Sequence, residues 1–183
     1  AGQVYAVVDK DKNGVAEEVK VIAKGLTNPS GVAFRDGALY VAAVNQILRF
    51  DNIESTYMNS PAPVLVTDAY PSDATHGWRF IAFGPDGKLY VPVGSPVNVG
   101  EPPTEHHACI THINADGTGM EVFTKGVRNT VGFDWHPKTK ELWFTENGRD
   151  LLGPDLPPDE LNRAQKAGMH FGFPYFFGKD TPD

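Results

Sequence analysis

The sequence predicts an all-β chain made of four-stranded β-propeller blades, and three observations support this. First, one plan occurs three times, as a strand, a short polar turn and a second strand, at residues 31–41, 81–91 and 132–144. Second, the aromatic residues Tyr40, Tyr90 and Trp143 occupy equivalent places, 50 and 53 residues apart. Third, short strand candidates between these hairpins bring each unit to about four strands, which is the repeat of a propeller blade.

The hairpins and the other strands follow from their residues. The first two hairpins turn at Asp36-Gly37 and Asp86-Gly87, and such pairs supply the positive φ of a tight hairpin turn. The flanking segments alternate apolar and aromatic residues, as strands do. The other strand candidates are residues 4–8, 19–23, 46–50, 64–68, 110–114 and 121–124. A β-sandwich is the alternative, but its strands recur without a longer superposed period.

The end of the chain completes this assignment. Residues 158–166 are the helix candidate, because Asp159 and Glu160 suit a helix N-terminus and Gly168 suits a stop. The stretch 170–183 is predicted to be loop. At about 50 residues per blade, 183 residues make three to four blades, whereas a ring closes with about four to eight. We therefore expect residues 1–183 to be the N-terminal half of one propeller domain, since an open ring exposes sheet edges.

Composition and charge exclude several classes of function. Lys and Arg number 16 against 23 Asp and Glu, which gives a net charge of −7. Without a cluster of basic residues, this charge argues against nucleic acid or an anionic membrane as a partner. No apolar run is long enough to span a bilayer. Cys109 is the single cysteine, so an internal disulfide and a cysteine-based zinc site are both excluded.

Polar residues in the loops at one end of the blades are the first candidates for chemistry, because these loops converge on the central channel of a propeller. His76 directly precedes the inner strand of the second hairpin. Imidazole is the side chain best suited to act as a base near neutral pH, so His76 is a candidate general base. A structural histidine is the alternative.

Two further clusters have the composition of a cofactor or metal site. Arg128 offers a planar donor fork and Asn129 offers donors and acceptors, which together suit an anionic, polar cofactor. A loop that caps its own backbone carbonyls explains the same two residues. Residues 145–150, with 158–162 after the next loop, gather carbonyls and carboxylates at glycine turns. Calcium prefers such hard oxygen donors, and a surface loop that ends in a helix N-cap is the alternative.

Two other patterns resemble metal sites more weakly. Residues 9–14, Asp-Lys-Asp-Lys-Asn-Gly, match the opening of an EF-hand loop. The twelfth position is Lys20 and strands flank the segment, so a β-turn is predicted instead. His106, His107 and His112 are predicted to be exposed loop histidines, because adjacent residues of a strand point to opposite faces.

Several motifs, in a fixed order, resemble a known family. They are His-Gly-Trp-Arg at the start of segment 76–91, Gly-Val-Arg-Asn at 126–129, Gly-Phe-Asp-Trp at 132–135, Thr-Glu-Asn-Gly at 145–148, Asp-Glu-Leu-Asn at 159–162 and Gly-Met-His-Phe-Gly-Phe-Pro at 168–174. Their order and spacing resemble the soluble quinoprotein glucose/aldose dehydrogenases, and most of all their sorbosone dehydrogenase branch. The resemblance covers nearly the whole chain.

The resemblance implies a six-bladed propeller that binds pyrroloquinoline quinone (PQQ) with calcium on its axis and oxidises the anomeric or aldehyde carbon of a sugar. His76 matches the catalytic base, which takes the substrate hydroxyl proton while hydride passes to the quinone. Arg128 and Asn129 match the pair that contacts the quinone. Further cofactor-binding lysine and arginine residues of the family come from later blades, which this chain does not contain, so residues 1–183 alone are expected to hold PQQ weakly or not at all and to be inactive.

The resemblance also implies a metal site and a cellular context. Gly148 and Arg149 fall where the family lends backbone carbonyls to calcium, and Asp159 matches a supporting acidic position. Arg149 is a departure, because the glucose dehydrogenases tend to have proline there. The family implies a periplasmic or secreted protein that passes electrons to an acceptor such as a cytochrome or quinone. A calcium-dependent hydrolase or lactonase propeller and a non-enzymatic binding module are the alternative functions.

Overall fold

Strands, nearly all of them paired antiparallel, dominate the secondary structure of the chain, whose computed structural model describes residues 2–178 and 181–182. The strands are β1 (Gln3–Val8), β2 (Glu18–Lys24), β3 (Gly31–Arg35), β4 (Ala38–Ala42), β5 (Ile47–Phe50), β6 (Val64–Thr67), β7 (Ala82–Phe83), β8 (Leu89–Val93), β9 (Cys109–Ile113), β10 (Glu121–Lys125), β11 (Phe133–Trp135), β12 (Leu142–Glu146), β13 (Glu160–Ala164), β14 (Met169–His170), β15 (Phe176–Phe177) and β16 (Thr181–Pro182). A helical turn, α1 (Ile53–Thr56), and a 3-10 turn at Tyr57–Asn59 lie between β5 and β6.

The sheets are meanders in which strand order follows the chain. Strands β3 to β6 form one four-stranded sheet, and β7 to β10 form the next, with the short β14 added in parallel beside β10. Strands β11 to β13 form a three-stranded sheet, while β1 and β2 form a hairpin. The third unit therefore has three strands instead of the four expected, because β14 pairs with the preceding sheet.

The hairpin tips adopt the backbone that their residues predict. Asp36 and Gly37, between β3 and β4, have φ values of 50° and 78°, and both central residues of a type I′ turn need positive φ. Gly87 has φ of 80°, and the Asp86 carboxylate accepts the backbone N–H of Lys88 at 3.1 Å. The three predicted hairpins are confirmed as β3–β4, β7–β8 and β11–β12.

Apolar layers lie between successive sheets and fix their stacking. Each layer contains residues from both neighbouring sheets, for example Ile22 with Phe50, Tyr40 with Val91, and Ile110 with Phe144. The sheets β3–β6 and β7–β10 therefore each pack one face on the sheet before and the other face on the sheet after, as blades do around a propeller axis. The chain is an all-β, partial β-propeller, as the sequence predicts.

The helix predicted at residues 158–166 is wrong. This segment contains β13, which pairs with β12 from Leu142↔Ala164 to Glu146↔Glu160. Its side chains alternate, since Leu161 is exposed and Ala164 is buried in the core. Acidic residues at 159–160 favour a helix start only weakly, whereas the open edge of β12 offers backbone hydrogen bonds to alternate residues of a partner strand.

The segment 170–183, predicted as loop, also contains short strands where the structure describes it. Strand β15 pairs with β16 through Phe176↔Pro182 and Phe177↔Thr181. Phe173 and Phe177 are buried in a small apolar cluster with Ala108. Apolar burial explains why Phe173 and Phe177 pack on the second blade. Within the described residues, no helix is long and apolar enough to cross a membrane.

Candidate functional site

The predicted site residues lie in loops at one end of the second and third blades. Strand β8 ends at Val93, β9 begins at Cys109 and β10 ends at Lys125. Because neighbouring strands are antiparallel, the end of β8, the start of β9 and the end of β10 lie at the same end of the sheet as the start of β7. The end of β12 and the start of β13 lie at the corresponding end of the next sheet. The topology therefore gathers the loops 68–81, 94–108, 126–132 and 147–159.

His76 is half-buried and is held through one ring nitrogen. Its Nδ1 atom lies 2.6 Å from the backbone carbonyl oxygen of Ser95, a residue with no exposed surface. A carbonyl oxygen only accepts hydrogen bonds, so Nδ1 carries the proton. In the neutral ring Nε2 then holds the lone pair, which is the tautomer a proton acceptor needs.

A buried arginine fixes the backbone around His76. His76 has φ of 50°, in the left-handed region that residues other than glycine rarely adopt. Arg79 is 2% exposed, and its guanidinium donates to the carbonyls of His76 (3.2 Å) and Pro71 (3.3 Å). Burial lowers the pKa of Arg79 to about 10, so it remains a cation at neutral pH. Arg79 thus holds the His76 carbonyl in place.

His107 supports the same loop from the neighbouring β8–β9 connection. Its Nε2 lies 3.1 Å from the Asp73 carboxylate and its Nδ1 lies 2.9 Å from the Thr104 hydroxyl. His107 and His112 are both buried, whereas exposed positions were expected, and His106 is half-buried. Carboxylate partners explain the difference, because Glu121 accepts from His112 at 2.9 Å in the same way. Paired imidazoles can be buried at little cost.

Gly94 lets His76 and Asn129 approach each other. A Cβ atom at Gly94 would lie 2.4 Å from the Cβ of His76 and 3.1 Å from Oδ1 of Asn129. At the first distance the two Cβ atoms would clash, and only a shift of the backbone at Gly94 or His76 could relieve the clash. Asn129 in turn donates from Nδ2 to the side-chain oxygen of Asn147 at 3.2 Å. The structure thus brings His76 and Asn129, two predicted site residues, to the two sides of one glycine.

Arg128 is 2% exposed and directs its guanidinium at protein oxygens. Its Nη1 donates to the carbonyl of Gly148 at 2.7 Å, and its Nη2 donates to the Asn98 side chain at 2.7 Å. An ion pair to Asp150 is 3.2 Å long. Burial lowers the pKa of Arg128, while the charge of Asp150 opposes this. In this structure the donors of Arg128 organise the surrounding loops, and its contact with a quinone stays a prediction.

Sequence reasoning missed Glu146, a buried carboxyl group beside Arg128. Glu146 is 4% exposed; its Oε1 accepts the backbone N–H of Arg128 at 2.5 Å, and its Oε2 accepts Nδ2 of Asn162 at 3.0 Å. Burial, helped by the charge of Glu160 on the paired strand, raises the pKa of Glu146 to about 8. The sequence contained a sign of this group. Side chains of a strand alternate between its two faces, so Glu146 lies on the same buried face of β12 as Leu142 and Phe144, where an apolar residue is expected.

The predicted calcium ligands do not form an ion cage as they stand. The carbonyl of Gly148 accepts from Arg128, and Asp159 accepts the backbone N–H of Gly148 at 3.1 Å instead of facing a common centre with that carbonyl. Arg149, which is half-buried, adds a second guanidinium to this loop. A calcium ion on the Gly148 carbonyl would lie next to the Arg128 charge, so these residues do not fit calcium in this arrangement.

The acidic segment 9–14 lies in the connection between β1 and β2, so strands flank it as predicted. The backbone N–H groups of Asn13 and Gly14 donate to Asp9 at 3.1 and 2.8 Å. Carboxylate oxygens of Asp9, Asp11 and Glu17 lie within 4.8 Å of one another. The hydrogen bonds of Asp9 account for its position in the turn without an ion.

Comparisons with known proteins agree with this fold. The sequence model of the glucose/sorbosone dehydrogenase family matches residues 41–180, and the chain therefore belongs to that family. A curated protein of Borreliella burgdorferi (strain ATCC 35210 / DSM 4680 / CIP 102532 / B31), named only as uncharacterized, is 35% identical over 173 residues, which cover 89% of this chain and 45% of the relative.

Two solved structures share the fold at low sequence identity. The calcium structure of the Trichoderma reesei Carbohydrate-Active Enzymes Family AA12 protein has a TM-score of 0.75 and 19% identity, over 94% of this chain and 50% of that one. The holo form of the pyranose dehydrogenase PQQ domain from Coprinopsis cinerea also has a TM-score of 0.75, with 15% identity over 94% and 51% of the two chains. The chain thus spans about half the length of these relatives.

Proposed function

We propose that this chain contributes the proton-accepting half of the active site of a PQQ-dependent sugar dehydrogenase. The observation that carries the proposal is the hydrogen bond of 2.6 Å between His76 Nδ1 and the Ser95 carbonyl. It leaves Nε2 of a half-buried histidine as a proton acceptor in a loop at the end of the second blade. Family membership and a structural relative described as a PQQ domain support the choice of reaction.

Gly94 holds the two residues proposed to face substrate and cofactor next to each other. A methyl group at Gly94 would clash with the His76 Cβ at 2.4 Å and crowd Oδ1 of Asn129 at 3.1 Å, so both residues pack directly on this glycine. Asn129 would hold PQQ through its amide, and His76 would line the face on which the substrate binds. When bound, PQQ supplies a two-electron acceptor for the hydride of a sugar carbon.

The chain's own residues then handle the proton. Nε2 of His76 accepts the proton of the substrate hydroxyl, while the Ser95 carbonyl keeps the Nδ1 proton in place. As the ring becomes positively charged, the carbonyl of Ser95 stabilises it through the same hydrogen bond. Arg79 keeps the loop from moving when His76 changes charge, because it binds the His76 carbonyl.

The finer parts of this proposal follow the family resemblance. An aldose or a sorbosone-type aldehyde is the expected substrate, a cytochrome or quinone the expected electron acceptor, and the periplasm or exterior the expected location. Because the chain spans about half the length of its relatives, further cationic contacts to PQQ are assigned to residues outside it. Calcium has no role in the proposed proton transfer, because the predicted ligands do not fit the ion in this arrangement.

Cofactor binding and turnover test the proposal separately. PQQ is added, with and without calcium, to the protein with a complete propeller ring, its absorbance is followed, and dye reduction is then measured with a broad panel of aldoses. We expect saturable PQQ binding and sugar-dependent dye reduction that His76→Ala abolishes. Binding without dye reduction by any sugar would remove the dehydrogenase assignment, and the absence of PQQ binding would remove the cofactor as well.

A further inference from the structure

Five protein oxygens surround the guanidinium of Arg128. They comprise three backbone carbonyls, one side-chain amide oxygen and one carboxylate oxygen. The distances are 3.3 Å to Asn98 O, 3.3 Å to Asn147 O, 2.7 Å to Gly148 O, 2.7 Å to Asn98 Oδ1 and 3.2 Å to Asp150 Oδ2. These oxygens come from two loops, 94–108 and 147–159. The loops also bond directly, because the N–H of Asp150 donates to Asn98 Oδ1 at 2.8 Å and Asn98 Nδ2 donates to the carbonyl of Asp150 at 3.2 Å.

This donor set is of the type that binds a hard cation. Carbonyl, amide and carboxylate oxygens are the ligands that calcium takes in proteins, at about 2.3–2.6 Å. Here the same kinds of oxygen point at a guanidinium, at hydrogen-bond distances. We infer that Arg128 is the resident cation of this oxygen cluster, so that the loop 147–150 is ordered by a side chain and needs no metal ion.

The backbone of Arg128 makes this cation difficult to displace. Its N–H donates to the buried Glu146 carboxylate at 2.5 Å, and its carbonyl accepts the N–H of Ser95 at 2.8 Å. The side chain is 2% exposed. A second cation that bound Gly148 would therefore lie within a few ångströms of a fixed positive charge, and such repulsion is strong away from water.

Removing the guanidinium should open the cluster to a metal ion. Arg128→Ala leaves the oxygens of Asn98, Gly148 and Asp150 without a cation, and we expect calcium to bind there about tenfold more tightly than to the unchanged protein. Titration calorimetry with CaCl₂ alone measures this. The background carries Asp11→Asn and Glu17→Gln, so that the acidic turn between β1 and β2 does not bind the ion. Arg49→Ala, which removes another paired arginine, is the matched control and should not change calcium binding.

The order of the loop gives an independent readout. Leu151 is 91% exposed, so cleavage after it by chymotrypsin reports on the loop. Neither CaCl₂ nor EDTA should change the cleavage rate of the Arg128 protein, whereas Arg128→Ala should be cleaved several-fold faster and be protected by CaCl₂. If Arg128→Ala does not fold, Arg128→Lys replaces it: one ammonium cannot reach all five oxygens, so cleavage should accelerate, and its retained charge should prevent protection by calcium.

Two results would overturn the inference. One is tight calcium binding by the protein with Arg128 intact, accompanied by slower cleavage after Leu151. The other is cleavage at the unchanged rate in both Arg128 variants. All of these measurements use neither PQQ nor sugar, so their outcome does not depend on the proposed dehydrogenase reaction.

Discussion

The Nδ1 atom of His76 lies 2.6 Å from the carbonyl oxygen of Ser95, and the N–H of the same Ser95 donates to the carbonyl of Arg128 at 2.8 Å. One buried residue at the end of β8 therefore connects the candidate base to the loop that carries Arg128 and Asn129. Through the Arg128 N–H this connection continues to Glu146. Hydrogen bonds therefore connect Glu146, Arg128 and Ser95 to His76 in one series.

His76→Ala should lower the turnover of the PQQ-loaded protein by roughly 100- to 10,000-fold, the range for loss of a general base. PQQ affinity should change little, since Nε2 acts on the substrate. Steady-state dye reduction and PQQ titration measure the two effects. His106→Ala is the control: this half-buried histidine is in the adjacent loop, where its backbone N–H binds Thr104, and its loss should leave turnover unchanged. Turnover of His76→Ala close to that of the unchanged protein would exclude the base role.

Gly94→Ala should separate His76 from Asn129. The added methyl group would lie 2.4 Å from the His76 Cβ, so a backbone must shift, at a cost of about 1–3 kcal/mol in unfolding free energy. Chemical denaturation and PQQ titration should show both a loss of stability and weaker cofactor binding. Gly132→Ala is the control, because a Cβ there meets no atom within 4 Å. Equal behaviour of the two variants would contradict the role given to Gly94.

The repeat made the blades predictable, because a period of apolar and aromatic residues records which face of each strand is buried. Tyr40 and Tyr90 are both buried at equivalent positions of β4 and β8. The segment containing Glu160 was mistaken for a helix, because its alternation covers only five residues and its partner β12 is known only from the structure. The local sequence does not show which distant strand a segment pairs with.

The motifs selected the right loops for the candidate site, but hydrogen bonds decide what each side chain can do. The sequence places His76, Arg128 and Gly148 in loops that the structure does bring to one end of the blades. It contains nothing that shows Arg128 turning to the carbonyl of Gly148, or Ser95 binding His76. These contacts depend on the relative placement of three loops, and each loop is positioned by a different strand pair.

Glu146 should make the protein less stable as the pH rises. Burial raises the pKa of Glu146 from 4.5 to about 8, so the folded state binds more protons than the unfolded state between these values. The contribution of Glu146 to stability is then greatest below about pH 4.5 and falls by up to about 1.4 kcal/mol per pH unit as the pH rises to about 8. Denaturant titrations at several pH values measure the slope, which Glu146→Gln should remove.

A second variant keeps the test valid if Glu146→Gln disrupts the site. Glu160→Gln removes the like charge that faces Glu146 across β12 and β13, so the pKa of Glu146 should fall and the slope should end at a lower pH. Glu54→Gln, in the exposed first turn of α1, is the control and should leave the slope unchanged. A slope that neither Glu146→Gln nor Glu160→Gln alters would mean that another group causes it.

Cys109 should act as an internal reporter of unfolding. The thiol is 1% exposed at the start of β9, and burial raises its pKa from 9 to about 12. Since the thiolate is the reactive form, a thiol reagent such as dithionitrobenzoate should not modify the folded protein at pH 8, and modification should occur at the rate at which the second blade opens. Protein unfolded in guanidinium chloride, whose thiol should react at once, is the control for the modification. The same raised pKa makes the contribution of Cys109 to stability fall as the pH rises from about 9 through 12. Rapid modification of the folded protein at pH 8 would contradict the burial of β9 between the first and third blades.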